Sequence, residues 1–228
     1  MKLRTAVVFT LAGWLGQYAV NAQGQENEVC KNPEGYTLTS TELSAAIESH
    51  ARWVSDSTSG ERAILCRLDA TSVDLRGLDL RGMDLRLARL PGADFSGSRL
   101  DGALLKYADL RKANFHKASL HKANFYRANL AEADLSGVIG VKTKLRKTDL
   151  TGADLREAQL AGADIGKSKM ADVRMRGASL RGAKLRKSDL TRADMSNTNL
   201  DEANLRKAIL VGTRLDGASM QSTAVSYT

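Results

Sequence analysis

A five-residue pattern of apolar and polar positions governs the chain from Val73 onward. Every fifth residue from Leu75 to Met220 is apolar except Gly140, and 21 of these 30 positions are Leu. The residue two places earlier is usually small, and in 18 of the 30 units it is Ala. Neither a helix, in which five residues turn about 500°, nor an unbroken strand keeps such positions on one side. The chain is therefore predicted to bend once per unit around a common interior.

The other positions of each unit fit this bend. Residues two apart on a short extended segment face the same side, so the Ala and Leu positions both point inward. The remaining positions are mostly Asp, Asn, Arg, Lys, Ser and Gly, and they point outward. Gly at the unit ends, as at Gly77, Gly82, Gly152 and Gly182, is typical of turns. Coils of such a chain stack about 4.8 Å apart and bury their Leu residues on one another.

The units resemble those of the pentapeptide-repeat family, whose pattern is A(D/N)LXX. The resemblance rests on runs such as Ala108–Lys112, Ala113–Phe115, Ala128–Leu130 and Ala153–Leu155. It implies an all-β solenoid, namely a right-handed quadrilateral β-helix with four units per coil, capped by one N-terminal α-helix. Thirty units then give about seven and a half coils. Because Gly140 lacks the central side chain, we expect a local bulge around residues 138–143.

A helix is predicted ahead of the repeats. Thr39 and Glu42 form a capping-box pattern, and the run Ser57–Gly60 ends the segment. One stripe of this helix is apolar at helical spacing. Its members are Leu43, Ala46, Ile47, His50 and Val54.

The first three units depart from the pattern. Val73, Leu78 and Met83 stand where Ala is expected. They indicate either a wider first coil or, as we prefer, contact with the capping helix.

The N-terminus has the features of a secretory signal peptide. Lys2 and Arg4 precede a mostly apolar stretch over 5–16, and Val20 and Ala22 are the small residues before a cut at Gln23. We expect cleavage, the alternative being an uncleaved anchor. The mature chain then has no membrane span and is periplasmic or secreted. The predicted segments are 1–22 signal peptide, 23–38 irregular lead-in, 39–70 helical cap, 71–222 repeats and 223–228 tail.

The chain has two cysteines, Cys30 and Cys66. In an oxidising compartment they permit one disulfide, which would tie the lead-in to the start of the repeats. Two unpaired thiols are the alternative.

Nothing in the sequence indicates catalysis. A filled solenoid offers no cleft with converging polar groups, and no Gly-rich phosphate loop is present. The three histidines, His50, His116 and His121, are separated; the last two fall on adjacent faces of a coil. We therefore predict no enzyme activity, no catalytic residues, no metal site and no cofactor.

Charge is distributed unevenly once the units are wound four to a coil. The chain has a formal net charge of +8, or +6 after loss of residues 1–22. The faces centred on residues 75, 80 and 90 have net charges of −1, +1 and 0, whereas the face centred on 85 has +10. That face carries twelve Lys and Arg against Asp84 and Asp164. The twelve are Arg86, Lys106, Arg127, Lys144, Arg146, Lys147, Lys167, Lys184, Arg186, Lys187, Arg206 and Lys207.

This charge distribution favours a non-enzymatic binding scaffold whose basic face meets a protein or an anionic envelope polymer. A purely solubilising face is the alternative, because long basic side chains also cover strand surface. Some relatives resemble DNA and protect type II topoisomerases, but that role needs an acidic, cytoplasmic surface. Non-specific nucleic-acid binding is disfavoured by export. A homodimer through the C-terminal coil would cover its exposed strand edges.

Overall fold

The computed structural model describes Cys30 and residues 32–226. The chain divides into two compact units, residues 1–31 and residues 32–228, and the second unit is described below. The predicted signal peptide, residues 1–22, lies outside the described residues, as do half of the lead-in and the last two residues of the tail. Among the described residues, no helix is long and apolar enough to cross a membrane.

The predicted helix is present as α1, Ser40–Ser55. Thr39 is its N-cap, and the capping box forms in both directions with Glu42. The predicted apolar stripe faces inward, because Ala46 and His50 are buried and Leu43 and Ile47 pack against the core of the repeats. Asp56 is the C-cap and adopts an extended conformation.

His50 is completely buried. Its ring stacks on Trp53 with centroids 5.5 Å apart, and its Nδ1 accepts the Ala63 N–H at 3.1 Å. Burial lowers its pKa below the usual 6.5. Trp53 lies above Gly82 of an early coil. A buried, neutral histidine thus helps to hold the helix on the solenoid.

The repeats form a solenoid held by parallel bridges between residues 20 apart. The bridges run from Ile64 with Asp84 to Asn204 with Ala224, so four units make one turn. Within the described residues these pairings are single bridges rather than longer strands, because the chain bends in every unit. The stacking begins at Ile64, ahead of the boundary expected at residue 71.

Most bends are tight turns closed by a backbone hydrogen bond between residues three apart. Met83 N–H, for example, donates to the Leu80 carbonyl at 3.1 Å, and Gly82 between them has φ 70°. The turn role predicted for Gly82 is therefore present. Within the described part of the chain, the same left-handed conformation also occurs at 20 non-glycine residues. It costs an L-residue roughly 1–2 kcal/mol.

The interior consists of the predicted Leu and Ala columns, and three phenylalanines occupy the Leu position within it. Phe95 and Phe115 stack in parallel at 4.7 Å, and Phe125 meets Phe115 edge-on at 5.8 Å. At most positions where Ser or Thr replaces Ala, the hydroxyl donates to a carbonyl one coil away, as Ser188 does to Ile165 at 2.8 Å. The early substitutions are also interior: Met83 is buried, and Val73 and Leu78 pack on the same core.

The expectation of a bulge at Gly140 is wrong. The 20-residue register continues through the segment, with Ser119, Ile139 and Gln159 bridged in sequence. Gly140 N–H donates to the Gln159 carbonyl at 2.8 Å. A side chain at Gly140 would collide with Thr143 Oγ1 and Leu160, so these neighbours occupy the space that a Leu would fill. The backbone path is preserved because neighbouring side chains fill the missing volume.

Candidate anion-binding face

The 20-residue register determines which outward residues share a face. We define the basic face as the units centred on residues 85, 105, 125, 145, 165, 185 and 205. Bridges link these units coil by coil from Asp84 through Lys144, Asp164 and Lys184 to Asn204. The twelve predicted basic residues therefore stack on one side without the slip that an insertion at Gly140 would have introduced.

The basic residues occupy three outward columns. The position after the central Leu carries Arg86, Lys106, Arg146, Arg186 and Arg206, and the next position carries Arg127, Lys147, Lys167, Lys187 and Lys207. Lys144 and Lys184 lie in the column before the central Leu. Like charges at the stacking distance of about 4.8 Å repel by roughly 0.9 kcal/mol in bulk water before salt screening.

Eleven of these twelve residues form no ion pair in the described part of the chain. The exception is Arg86, whose guanidinium lies 2.6 Å from the fully buried carboxylate of Asp84. The other ion pairs between described residues of the repeats all lie on the other three faces. Four basic residues of the repeats on the other faces, Lys117, Lys122, Lys142 and Arg176, also form no ion pair among the described residues, so unpaired cations are concentrated on the basic face at eleven against four.

The cause is local and visible within single units. In an Asp-Leu-Arg unit, the Arg curls back onto the Asp two residues earlier, as Arg156 does onto Asp154 with contacts of 2.6 and 2.9 Å. Asp74, Asp79, Asp84 and Asp109 are paired in the same way. On the basic face that acidic position is mostly Leu, Asn or Lys, so the Arg has no partner within its own unit.

These pairings lower the pKa values of carboxyl groups on the other faces. The hydrogen bond from Arg76 lowers the pKa of Asp74 from 3.8 to about 2, and Arg81 and Arg111 lower the pKa values of Asp79 and Asp109. The repeat carboxyls with lowered pKa all lie outside the basic face. They are Asp74, Asp79, Asp109, Asp149, Asp154, Asp172, Asp194 and Asp201.

The turn column of the basic face contains no glycine. On the other three faces, 12 of the 23 residues in the left-handed turn position are Gly. On the basic face the seven positions all have φ between 58° and 61° yet are non-glycine. They are Leu87, Tyr107, Arg127, Lys147, Lys167, Lys187 and Lys207. Side chains are retained here at a conformational cost that the rest of the solenoid often avoids.

Two tyrosines join the basic face, and the structure adds a contact that sequence position alone did not define. Tyr107 and Tyr126 meet edge-on at 5.8 Å, and the Arg127 guanidinium lies 5.8 and 5.6 Å from their ring centres. Lys147 Nζ lies 5.6 Å from the Tyr126 ring. A hydrogen bond from Lys147, with the charges of Arg127 and Lys147, lowers the pKa of Tyr126. Reading the sequence in steps of 20 and 19 would have revealed this cluster.

The remaining candidate residues lie elsewhere. His116 Nδ1 is 2.8 Å from Ser136 Oγ, and His121 Nδ1 accepts the Val141 N–H at 3.2 Å, so the two serve different backbone turns. Among the described residues, no group of three or more His, Cys, Asp or Glu side chains could hold a metal ion. A shallow groove of about 480 Å³ lies on a neighbouring face, but its Arg111 is paired with Asp109 and its Lys112 with Glu132.

Both cysteines are disulfide-bonded in the structure. Cys66 is buried at the start of the solenoid, and Asn32 donates to its carbonyl at 3.0 Å. The pairing of Cys30 with Cys66 stays a prediction. Mass spectrometry of non-reduced peptides tests it.

Solved structures of similar shape are pentapeptide-repeat proteins. A trypsin-treated variant of QnrB1, a plasmid-mediated fluoroquinolone resistance protein, superposes with a TM-score of 0.64 at 20% identity, covering 73% of this chain and 86% of that one. A second trypsin-treated QnrB1 variant has a TM-score of 0.61 at 19% identity, with the same coverage. At these identities the likeness is one of fold. No curated relative matches the sequence.

The sequence itself matches the family profile described as pentapeptide repeats. The match comprises eight copies over residues 71–106, 98–137, 141–170, 158–197 and 198–226, which is more than half of the chain. The expectation drawn from the five-residue pattern is confirmed: this chain belongs to the pentapeptide-repeat family.

Proposed function

We propose that this protein is a non-enzymatic binding scaffold whose basic face holds an anionic polymer of the cell envelope. Members of the family are generally structural or interaction proteins. The observation that carries the proposal is the concentration of eleven basic residues without ion pairs on one face, against four such residues on the other three faces together, where most charges are paired. Unpaired cations at regular intervals attract a linear polyanion and give salt-dependent affinity.

The turn column supports binding over a merely solubilising role. Solubility requires charge on the surface but does not require it at left-handed positions, where Gly is easier to accommodate. Lys147, Lys167, Lys187 and Lys207 nevertheless occupy four successive turns of the basic face with φ of 60–61°. Strain is commonly retained where it positions functional groups.

Charge reversal provides the test. Lys147→Glu, Lys187→Glu and Lys207→Glu together should reduce retention on heparin on the order of 10- to 1,000-fold, because steering and binding both depend on the local field. The matched control reverses Lys117, Lys122 and Lys142, which have the same turn conformation on other faces. Equal losses in both triple variants would indicate that only net charge matters and would overturn the proposal.

The location that we propose is the periplasm or the exterior of the cell. Its support is the charged and apolar pattern of residues 1–22 together with the two disulfide-bonded cysteines. Cell fractionation, with N-terminal sequencing of the recovered protein, tests both export and cleavage before Gln23. A DNA-mimicking role is not proposed, because it needs an acidic surface and this array has a net charge of +10.

We further propose that two copies associate through the C-terminal coil. Ile209 and Val211 are 51% and 68% exposed, and Leu210, Leu215 and Met220 are only partly buried, unlike their counterparts in earlier coils. A second copy of the same surface would cover this apolar end and its strand edges. Sedimentation should show a dimer that Val211→Glu dissociates. A monomer at every concentration would refute this assembly without affecting the basic face.

A further inference from the structure

The basic face changes character along its length. Its first three units, centred on residues 85, 105 and 125, have a net charge of +2, whereas the four units centred on 145, 165, 185 and 205 have +8. The first three units instead carry the exposed apolar and aromatic side chains of this face. Leu87 and Tyr107 are 42% and 46% exposed, and Tyr126 is half-buried. The N-terminal end of the face therefore offers a different surface from the cationic remainder.

The backbone holds the two tyrosines of this end together. Tyr107 has φ 61°, and its N–H donates to the Tyr126 carbonyl on the next coil at 3.0 Å. The rings meet edge-on with their centroids 5.8 Å apart. The Arg127 guanidinium lies 5.8 Å from the centre of the Tyr107 ring and 5.6 Å from that of Tyr126. We call Tyr107, Tyr126 and Arg127 the aromatic cluster.

The aromatic cluster presents one open ring surface and one free cation. Nearly half of Tyr107 is exposed to solvent, and Arg127 forms no ion pair among the described residues. Lys147 lies on the other side of the cluster, with its Nζ 5.6 Å from the centre of the Tyr126 ring. Tyr126 therefore contacts the cations of two successive coils and joins the cluster to the strongly basic part of the face.

This arrangement matches a sugar ring that carries its own negative charge. The C–H groups on one side of a sugar ring are apolar and slightly positive, so they pack against the negative face of an aromatic ring. A carboxylate or sulfate on the same sugar can accept paired hydrogen bonds from a guanidinium beside that ring. In a nucleotide, by contrast, a ribose separates the phosphate from the base that would stack.

Other linear polyanions fit the whole face less well. Proteins that bind single-stranded nucleic acid present successive aromatic side chains for successive bases. The four units of the basic face centred on residues 145, 165, 185 and 205 contain no aromatic residue. A polyphosphate would use the cations alone, because it has no apolar surface to place on a tyrosine. The combination of one aromatic cluster with a long cationic stretch therefore favours an acidic polysaccharide.

We infer, on the basis of the proposed function, that the basic face binds an acidic polysaccharide, one sugar of which packs on Tyr107 and pairs its carboxylate or sulfate with Arg127. Tyr126 is a positioning residue that holds Arg127 beside the open ring. The following acidic sugars extend along the lysines and arginines of the four strongly basic units. The aromatic cluster thus distinguishes glycans from polyanions without sugar rings, which the cations alone cannot do.

Calorimetry on the intact protein with a heparin oligosaccharide and with polyphosphate tests the inference. Tyr107→Ala should weaken heparin binding about 3- to 10-fold, because one ring contact is lost. It should change polyphosphate binding by less than about twofold, because every cation remains. Tyr107→Phe should retain the affinity for heparin, since the ring and not the hydroxyl makes the contact. The matched control is Val141→Ala, a 40% exposed apolar residue on a neighbouring face, which should leave both affinities unchanged.

A double variant tests the pairing with Arg127. In an Arg127→Gln background, Tyr107→Ala should weaken heparin binding less than it does in the intact chain, because both side chains contact the same sugar. Thermal melting of each variant confirms that it is folded.

Three results would overturn the inference. One is a Tyr107→Ala variant that binds heparin normally or loses polyphosphate equally. Another is full additivity of the Tyr107 and Arg127 substitutions. The third is tighter binding of oligodeoxythymidine than of heparin with the same dependence on Tyr107, which would assign the aromatic cluster to single-stranded nucleic acid.

The charge reversal of Lys147, Lys187 and Lys207 keeps the two proposals apart. If it abolishes heparin retention while Tyr107→Ala has no effect, the proposed function survives and the polysaccharide inference fails. If it leaves retention unchanged, the proposed function fails whatever the result for Tyr107→Ala.

Discussion

Two units with the same backbone show how this solenoid separates folding from binding. In the unit 153–157, Arg156 pairs with Asp154, whose second partner is Arg174 at 3.1 Å. In the unit 183–187, Lys184 stands where Asp154 would, and Arg186 forms no ion pair among the described residues. The central Leu of each unit is completely buried. The inward residues specify the coil, and one outward residue determines whether an arginine is neutralised or free.

The largest expected effect concerns the packed interior, which lies beneath both faces. Leu145→Ala, beneath the basic face, and Leu155→Ala, beneath the opposite face, should each lower the free energy of unfolding by about 2–5 kcal/mol, because each leaves a cavity in a filled core. Chemical denaturation measures both. A much smaller loss for Leu145→Ala would mean that the basic face is poorly packed as well as charged, and the comparison would no longer concern the surface alone.

The next largest effect is expected from acid, which should remove the stability that the paired carboxyls of the other three faces contribute. The carboxyls with lowered pKa stabilise the folded state fully above their unfolded value of 3.8, and this contribution is lost as the pH falls through their folded values, which for Asp74 is about 2. Thermal unfolding should therefore show stability falling steeply below about pH 4.

Heparin retention should change little between pH 8 and pH 5. All three histidines lie outside the basic face, whose cationic side chains are all Lys or Arg. Retention that rose sharply below pH 6.5 would implicate a histidine and contradict the assignment of the face.

A matched pair of Asp substitutions should give smaller effects, a loss of stability for one and a gain in heparin retention for the other. Burial raises the pKa of Asp154, but hydrogen bonds from Arg156 and the charges of Arg174 and Arg156 outweigh it. Asp154→Asn keeps the turn acceptor and loses both ion pairs, so it should cost about 1 kcal/mol after allowance for solvent screening. Asp164→Asn loses no ion pair and should leave the melting temperature unchanged while increasing heparin retention. If Asp164→Asn proved the more damaging, the account of free and neutralised arginines would be wrong.

The sequence predicted the solenoid and its helix because period and capping are local properties. An apolar residue at nearly every fifth position leaves few ways to bury the positions from Leu75 to Met220, and Thr39 with Glu42 marks a helix start by itself. The path at Gly140 could not be foreseen, because it depends on Thr143 and Leu160 filling space from neighbouring turns. The charge of each face followed from the register, but the pairing of Arg156 and the isolation of Arg186 required side-chain geometry within the turn.

The turn lysines test the central claim most directly, because replacing them should raise the stability of the fold while weakening binding. Replacing Lys147, Lys187 and Lys207 together by Gly removes three cations and three left-handed side chains. The variant should gain roughly 0.5 kcal/mol per site after the greater freedom of Gly in the unfolded chain is deducted. The control is Gly at Lys117, Lys122 and Lys142, which should gain similarly and keep heparin retention. We predict that the basic-face variant melts at a higher temperature and loses retention; retention equal to that of the control would contradict the account.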